Sequence, residues 1–260
     1  MAPKYPAGSN SIRHSYRNSN VTLEQPTQQE NVDPSEVAKF DELARKWWDT
    51  ESEFKTLHDI NPLRMSYIES RSTLADKSVL DVGCGGGILT EALANSGAQV
   101  TGIDMAPKPL QVAKMHRHES NLAINYEQTT VESYADKHPG SFDVVTCLEM
   151  MEHVPDPASV IAACTKLLKP GGHLFLSTIN KNPKAYLLMV LGAEYVTGMV
   201  PKGTHDYGKF IKPSEIGTWL RQCDLDLMNI TGMTYNPLTK RYSLGKDTDV
   251  NYLVHAVKPA

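Results

Sequence analysis

A glycine-rich turn between an apolar run and a helical pattern constrains the fold of this chain more than any other stretch. Residues 79–87 read Val-Leu-Asp-Val-Gly-Cys-Gly-Gly-Gly, so an apolar run rich in β-branched residues, typical of a buried strand, ends in glycines. After the turn, Ile88, Leu89, Ala92 and Leu93 recur at helical spacing. Strand, glycine turn and helix predict the opening of a nucleotide-binding α/β unit, in which the backbone approaches a ligand closely.

The spacing of the glycines separates two classes of cofactor. A dinucleotide fingerprint G-x-G-x-x-G beginning at Gly83 requires a glycine where the chain has Ile88. Instead, Asp81 precedes Gly83 and Gly85, and a later apolar run ends in Asp104, where a carboxylate can hold ribose hydroxyls. This D-x-G-x-G pattern with a later Asp resembles the class I S-adenosylmethionine-dependent methyltransferases. A glycine turn kept only for packing is the alternative, and the strand context disfavours it.

Composition limits the class of protein and its partners. A chain of 260 residues suits one α/β domain, and a net charge of −4 without a dense run of Lys or Arg predicts no nucleic-acid partner. The four cysteines form no C-x-x-C pair, which indicates reduced thiols in a reducing compartment. Residues 1–32 are rich in Ser, Asn, Gln and Pro and are predicted to be a disordered tail rather than an organelle-targeting remnant, so that residues 33–260 form the domain.

Two helices are predicted before the glycine turn. Asp33 as N-cap with Pro34 and Glu36 starts the first helix, whose apolar stripe ends at Trp47 and Trp48. Core packing is the preferred interpretation of the two tryptophans, although a helix placed here could also cover the site as a lid.

The second helix is predicted to begin at Asn61-Pro62 and to run to about Arg71, with Arg64 in its first turn. A solvated arginine is one interpretation of Arg64. A salt link to the carboxylate of a cofactor is the other, because a guanidinium group matches a carboxylate in shape.

Strands and helices alternate after the glycine turn, which predicts a mostly parallel sheet with helices on both faces. Residues 225–231 and 251–258 are predicted to be the last two strands, as an antiparallel edge pair. Right-handed crossovers place the carboxyl ends of parallel strands at one edge of the sheet, where ligands bind.

A cluster of acidic residues and one histidine follows the strand predicted at 142–147. On a helical turn, Glu149, Glu152 and His153 would share one face at spacing i, i+3 and i+4. Such a group could bind a divalent ion such as Mg²⁺, or His153 or Glu152 could act as a general base. The remaining interpretation is that the acids are solvated and that Asp156 caps the next helix.

Residues 183–200 form an apolar segment that is too short and too interrupted to span a bilayer. A core or lid helix is one interpretation. The other is a surface helix that dips into an anionic membrane, flanked by Lys181, Lys184 and Lys202.

Several longer stretches, covering roughly residues 34–257, resemble the ubiquinone-biosynthesis O-methyltransferases. The most specific stretches are Phe54-Lys55-Thr56-Leu57-His58, Ile60-Asn61-Pro62-Leu63-Arg64, Glu149-Met150-Met151-Glu152-His153-Val154-Pro155-Asp156-Pro157, Val200-Pro201-Lys202-Gly203-Thr204-His205-Asp206 and Asp249-Val250-Asn251-Tyr252.

The resemblance implies a class I, Rossmann-like methyltransferase fold: a mostly parallel seven-stranded sheet with helices on both faces and N-terminal lid helices. It implies methylation of phenolic oxygens of polyprenyl catechols and of 3-demethylubiquinol, with S-adenosylmethionine as methyl donor. It also implies lipid contact through residues 182–205, a peripheral position on a cytoplasmic or mitochondrial inner membrane, and a place in a ubiquinone-biosynthesis complex.

The resemblance also implies roles for individual residues. It places cofactor contacts at Arg64, Gly83, Asp104 and Leu148, beside Asp81 and Gly85 of the turn. It implies metal dependence at Glu149, Glu152 and His153. These three are also the candidate catalytic residues: a divalent ion on them would lower the pKa of the catechol hydroxyl, and without a metal His153 is the expected base. Two competing functions are C- or N-methylation of another small molecule and a non-catalytic cofactor-binding subunit.

Overall fold

The computed structural model describes residues 31–188 and 207–260, together with Met1. The disordered tail predicted at the N-terminus lies outside these residues except at 31 and 32, and most of the apolar segment 183–200 lies outside them as well.

Helices and strands alternate along most of the described chain. The helices are α1 (Pro34–Leu43), α2 (Lys55–Glu69), α3 (Ile88–Asn95), α4 (Pro107–Glu119), α5 (Val131–Lys137), α6 (Pro157–Leu167), α7 (Pro183–Ala185) and α8 (Pro213–Gln222). The strands are β1 (Ser78–Val82), β2 (Gln99–Asp104), β3 (Asn125–Gln128), β4 (Phe142–Leu148), β5 (Leu168–Ile179), β6 (Asp226–Asn236), β7 (Arg241–Gly245) and β8 (Asn251–Val257). Short 3₁₀ turns lie at Ala44–Lys46, Met151–His153 and Tyr207–Lys209.

The described strands form one eight-stranded sheet in the order β3-β2-β1-β4-β5-β8-β6-β7. The five strands from β3 to β5 are parallel, and β8, β6 and β7 continue the sheet antiparallel. This arrangement confirms the predicted α/β class. Because β1, β2 and β4 are parallel neighbours, Val82, Asp104 and Leu148 all end at the same edge of the sheet.

The sheet has one strand more than the seven predicted, because β6 continues to Asn236 and turns into β7. The predicted antiparallel pairing of the last two strands is correct for β6 and β8, but β8 lies inside the sheet and β7 forms the edge. Strand β7 is short and half-exposed, so it lacks the apolar run that reveals a buried strand.

Alternate residues of β1 face two separate layers of helices. Leu80 and Val82 pack in a core with α5, α6 and α8, whereas Val79 packs in a second core with α2 and α3. The strand alternation thus produces a sheet covered on both faces, as the sequence predicts.

Helix α2 begins six residues before the predicted start and contains Pro62 in its interior. A proline there removes one backbone hydrogen bond, but the apolar residues on both sides of it hold the helix in place. Ile60 and Ile68 are buried in the core against α3, so the packing of one continuous helix outweighs the local preference of proline for a helix start.

Candidate active site

A cavity of about 690 Å³ opens at the edge where the parallel strands end. Every residue predicted for the site lines it: Arg64, Asp81, Gly83, Gly85, Asp104, Leu148, Glu149, Glu152 and His153. Residues of α1, of α2 and of the β6–β7 hairpin complete the walls. The structure thus brings together, in one cavity, residues that the sequence separates by up to 89 positions.

The glycine turn adopts backbone conformations that favour glycine, with φ of +72° at Gly83 and +53° at Gly85. A side chain at Gly85 would overlap the ring of Trp47, and one at Gly83 would overlap Met150. The space left by the missing side chains is therefore filled in part by protein, and not only by a ligand as the sequence suggests.

Trp47 is buried and stacks on Phe54 at a centroid distance of 4.1 Å, which confirms that it is a core residue. It also lines the cavity, and Trp48 Nε1 donates to the carbonyl oxygen of Gly86 at 2.9 Å. The segment that follows α1 is thereby attached to the glycine turn. Sequence reasoning recognised the tryptophans as apolar but could not identify the turn as their partner.

The two aspartates of the predicted cofactor site differ in role. Thr90 Oγ1 and Thr146 Oγ1 donate to the two carboxylate oxygens of Asp81, at 2.6 and 2.8 Å, so Asp81 connects β1 to α3 and β4. Burial raises the pKa of Asp81 to about 6.

Asp104 accepts from the backbone nitrogens of Gly85 and Ala106, each at 2.8 Å. Each carboxylate oxygen has two lone pairs, so Asp104 can still accept hydrogen bonds from ribose hydroxyls in the cavity. The glycine turn is itself held by this carboxylate.

Arg64 is a buried cavity residue with hydrogen-bond donors that are not used. Its side chain is 6% exposed, and Nη2 lies 3.1 Å from Oε1 of Glu149. Nevertheless, neither Nε nor Nη2 makes a hydrogen bond to any atom of the described residues. Buried donors normally have partners, so an arginine in this state fits a carboxylate ligand, as the salt-link interpretation predicts.

Glu149, Glu152 and His153 do not share one face of a helical turn, which was one of the two arrangements considered for this stretch, because only Met151–His153 form a turn. Glu149 precedes the 3₁₀ turn Met151–His153 and has φ of +54°, a conformation that costs free energy outside glycine. Its carboxylate accepts from Ser177 Oγ at 2.7 Å and lies against Asn251 Nδ2 at 3.2 Å. Sequence reasoning missed both partners, although Asn251 lies in one of the stretches that carry the family resemblance.

The predicted metal site is not assembled in this arrangement. Within residues 31–188 and 207–260, no group of three His, Cys, Asp or Glu side chains has the geometry to hold a metal ion. Glu149 is paired with Arg64, Glu152 accepts from Thr178 Oγ1 at 2.8 Å, and His153 is paired with a carboxylate of α1. The three side chains line one cavity but contact different partners.

The partner of His153 is Glu36, a residue that the sequence identifies only as part of a helix start. Glu36 Oε2 lies 3.0 Å from Nδ1 of His153, and both side chains line the cavity. The hydrogen bond to Glu36 raises the pKa of His153 against the opposing effect of burial. No local pattern could reveal this pair, because 117 positions separate the two residues.

Glu152 is expected to make the stability of the protein depend on pH. Burial, and next the charge of Glu149, raise the pKa of Glu152 to about 7, so between about pH 4.5 and 7 the folded state holds a proton that the unfolded state has lost. Stability therefore falls as pH rises through that window. Glu152→Gln should remove this decrease in the free energy of unfolding, which amounts to at most about 3 kcal/mol. Denaturant titrations at pH 5 and pH 8 measure the difference. The exposed Glu119 provides a matched control, because Glu119→Gln should leave the pH dependence unchanged; equal behaviour of both variants would contradict the prediction.

Comparisons with known proteins agree with this geometry. Residues 80–176 match the family model described as a methyltransferase domain. The chain is 62% identical over 230 residues to the ubiquinone biosynthesis O-methyltransferase of Pseudomonas aeruginosa strain LESB58, covering 88% of this chain and 99% of that protein. The protein of the same name from Saccharophagus degradans is 62% identical over 233 residues, covering 89% of this chain and 99% of that protein.

Solved structures show the same fold at lower identity. Magnesium protoporphyrin IX methyltransferase from Synechocystis PCC 6803, with bound SAH, superposes with a TM-score of 0.63 at 20% identity, covering 85% of this chain and 94% of that one. A structure of the same enzyme with bound SAM gives a TM-score of 0.59. Fold, cavity and sequence identity over nearly the whole length of the relatives lead to one assignment: this chain belongs to the ubiquinone biosynthesis O-methyltransferases, within the class of S-adenosylmethionine-dependent methyltransferases.

Proposed function

We propose that the protein transfers a methyl group from S-adenosylmethionine to phenolic hydroxyls of polyprenyl catechols and of 3-demethylubiquinol. The observation that carries this proposal is the single cavity that holds both a cofactor-type glycine turn and the Glu149, Glu152 and His153 cluster. The names of relatives at 60–62% identity support the substrate class.

The residues of the cavity divide into a cofactor end and a reacting end. Arg64 would bind the carboxylate of S-adenosylmethionine, Asp104 the ribose hydroxyls, and Leu148 the adenine, while Gly83 and Gly85 allow the backbone to approach. When bound, the cofactor supplies an electrophilic methyl group on a sulfonium. The protein mainly has to align the phenolic oxygen with that methyl group and to exclude water.

His153 is the proposed acceptor of the phenolic proton. A catechol hydroxyl is a weak nucleophile until it loses its proton, and histidine is the side chain best suited to accept one near neutral pH. Glu149 and Glu152 lie beside it in the cavity, where their carboxylates can accept hydrogen bonds from the second hydroxyl of a catechol.

The decisive test is methylation of a short-prenyl catechol, followed by mass spectrometry and NMR of the product. O-methylation is the expected result. A methyl group on carbon or nitrogen would favour the competing reaction class, and S-adenosylmethionine binding without turnover would indicate a non-catalytic subunit.

A chelator added to the same reaction separates two ways of activating the hydroxyl. Turnover that persists in excess chelator assigns proton acceptance to protein side chains. In the alternative outcome, the chelator abolishes turnover while cofactor binding is retained, and Mg²⁺ then restores turnover. That result assigns activation of the hydroxyl to an ion held by Glu149, Glu152 and His153, after these side chains leave their present partners.

The substrate is proposed to reach the cavity from a membrane surface. None of the helices in the described parts of the chain has the length and apolar character needed to cross a bilayer. A polyprenyl tail, however, stays in lipid, because each methylene transferred to water costs about 0.8 kcal/mol.

Exposed apolar side chains lie at the start of the segment 183–200 and on the β6–β7 hairpin. Leu187 is 57% and Leu188 is 47% exposed, and Leu188 lines the cavity. On the hairpin, Leu238 is 93% exposed next to Lys240 and Arg241, a combination that suits an anionic lipid surface. The segment is thus proposed to form one wall of the substrate entrance and to contact anionic membrane, and any association with a ubiquinone-biosynthesis complex would occur there.

Replacing Leu187 and Leu188 together by Glu should abolish co-sedimentation with anionic liposomes and methylation of a long-chain substrate. The charges would oppose both insertion into lipid and the negative surface potential. A water-soluble short-chain catechol should still be methylated. The matched control is Met115→Glu on α4, where an exposed apolar side chain does not line the cavity. Unchanged sedimentation of the double variant would assign the segment to a core or lid helix.

A further inference from the structure

The β6–β7 hairpin has one apolar face and one polar face. The apolar face is formed by two cross-strand pairs, Met233 with Leu244 and Tyr235 with Tyr242. These pairs share a face because they lie two residues apart along each strand. The pair between them, Thr234 with Ser243, lies on the opposite face, where the two hydroxyl oxygens are 3.3 Å apart. The hairpin is thus an amphipathic ribbon.

At its base, the apolar face of the hairpin packs on helix α2. Ile60 of α2 and Met233 of β6 are both buried and belong to one apolar core. Leu57, about one helical turn before Ile60, packs against that core together with Tyr242. These contacts fix the position of the hairpin relative to α2.

Toward the tip of the hairpin, the same face becomes a wall of the cavity. The rings of Tyr235 and Tyr242 have centroids 4.8 Å apart, and both residues line the cavity. Leu57 and Ile60 of α2 line it as well. Tyr235 is nevertheless 37% exposed, and Leu238 in the turn between the two strands is 93% exposed. Apolar side chains therefore continue from the cavity wall to the surface of the protein.

A polyprenyl tail matches this apolar wall chemically. Each isoprene unit is a branched group of five carbons without a polar atom, so apolar surface, and not hydrogen bonding, must bind it. The wall belongs to the same cavity as Glu149 and His153, so the occupant that fits it is a part of the substrate. A partner protein on this face would close the cavity, whereas a substrate tail would lead out of it.

We propose that the apolar face of the β6–β7 hairpin, together with α2, binds the first isoprene units of the substrate's polyprenyl tail. The rest of the tail then passes over Tyr235 and leaves the cavity beside Leu238 at the tip of the hairpin. This inference rests on the proposed O-methylation of polyprenyl catechols and adds the binding site for the tail.

Stacking on the phenolic ring of the substrate is the competing role for the tyrosine pair. Aromatic rings attract one another whether or not a tail is present, so loss of Tyr235 would then weaken the binding of every catechol equally. A wall for the tail predicts a different pattern. The affinity of the wild type should rise with each isoprene unit, and loss of Tyr235 should remove part of that rise.

The test measures the Kd of catechols that carry zero, one or two isoprene units, by calorimetry in the presence of S-adenosylhomocysteine. In the wild type each unit should strengthen binding roughly tenfold, because about two buried methylene groups already give that factor. Tyr235→Ser should reduce the gain over two units by roughly tenfold and leave the Kd of the unprenylated catechol unchanged. Tyr235→Leu, which keeps an apolar side chain, should retain most of the gain.

Met228→Ser provides the matched control on the same strand. Met228 is an apolar residue of β6 that is 59% exposed, and it is not among the described residues that line the cavity. Its replacement should leave the Kd of all three catechols unchanged. The affinity for S-adenosylhomocysteine, measured for every variant, verifies that the domain remains folded.

Geraniol, a tail of two isoprene units without a phenol, separates this inference from the proposed reaction. The wild type should bind it, and Tyr235→Ser should bind it more weakly, whether or not any phenol is methylated. Equal gains per unit in the wild type and Tyr235→Ser, an equal loss for all three catechols, or geraniol binding that is absent or unaffected by the substitution would each overturn the inference. Tail binding without methylation of any catechol would overturn only the proposed O-methylation.

Discussion

Replacing Arg64 by Gln should weaken the binding of S-adenosylhomocysteine roughly ten- to hundredfold while leaving the affinity for 5′-methylthioadenosine unchanged. The second ligand shares the adenosine and the sulfur but lacks the carboxylate. Hydrogen bonds to charged groups contribute about 1.5–3 kcal/mol, and about 1.4 kcal/mol is a factor of ten in affinity. We expect the full loss of affinity because Arg64 has buried donors without a hydrogen-bond partner among the described residues. Calorimetric titration of both ligands measures the loss.

The pairing of Arg64 with Glu149 requires a control, because loss of the guanidinium also leaves a carboxylate without its counter-charge. The double variant Arg64→Gln with Glu149→Gln removes both charges. It should regain much of the stability that the single variant loses, and it should still bind S-adenosylhomocysteine weakly. Recovery of the affinity in the double variant would mean that Arg64 acts through Glu149 and not on the ligand.

Replacing Gly85 by Ala should reduce both the stability of the protein and its affinity for S-adenosylhomocysteine. The residue has φ of +53°, where a side chain costs about 1–2 kcal/mol, and the added methyl group would overlap the ring of Trp47. Overpacking of this kind costs about a further 1–3 kcal/mol. Because Trp47 lines the cavity, its displacement should also weaken the ligand about tenfold or more.

A variant at Gly140 separates the cost of the backbone conformation from the cost of the overlap with Trp47. Its φ is +60°, but no described residue other than its two chain neighbours has an atom within 4 Å of a Cβ placed there. Gly140→Ala should therefore show only the loss from backbone conformation, with ligand affinity unchanged in calorimetry and the unfolding midpoint lowered less. Equal losses of stability in the two variants would show that the contact with Trp47 is not the cause.

Local patterns were sufficient to predict the glycine turn and the strand ends that line one end of the cavity. The turn at Gly83 and Gly85 and the strand ending at Asp104 can be recognised within a few residues, because the period of apolar residues and the need for glycine are properties of short segments. The parallel arrangement follows from the alternation of strands and helices, and it is enough to bring Leu148 to the same edge. The family resemblance added the assignment of Arg64, whose buried donors then fit it.

Tertiary packing decided where α2 begins and that β7 forms, two features that local patterns did not predict correctly. Burial of apolar residues on both sides of Pro62 carries α2 through a residue that usually starts a helix, and β7 exists because β6 provides its hydrogen-bonding edge.

By itself, the sequence determined the glycine turn and the strand ends that line the cavity, since both can be recognised from local periodicity and glycine spacing. Only the tertiary structure decided how those residues pair: Glu149 with Arg64, Trp47 with Gly85, and His153 with Glu36. Each pair joins segments far apart in the chain, and its partners are chosen by the distances and burial that arise when helices pack on the sheet. The charge, tautomer and free space of a site depend on such pairs, so its chemistry becomes visible only in three dimensions.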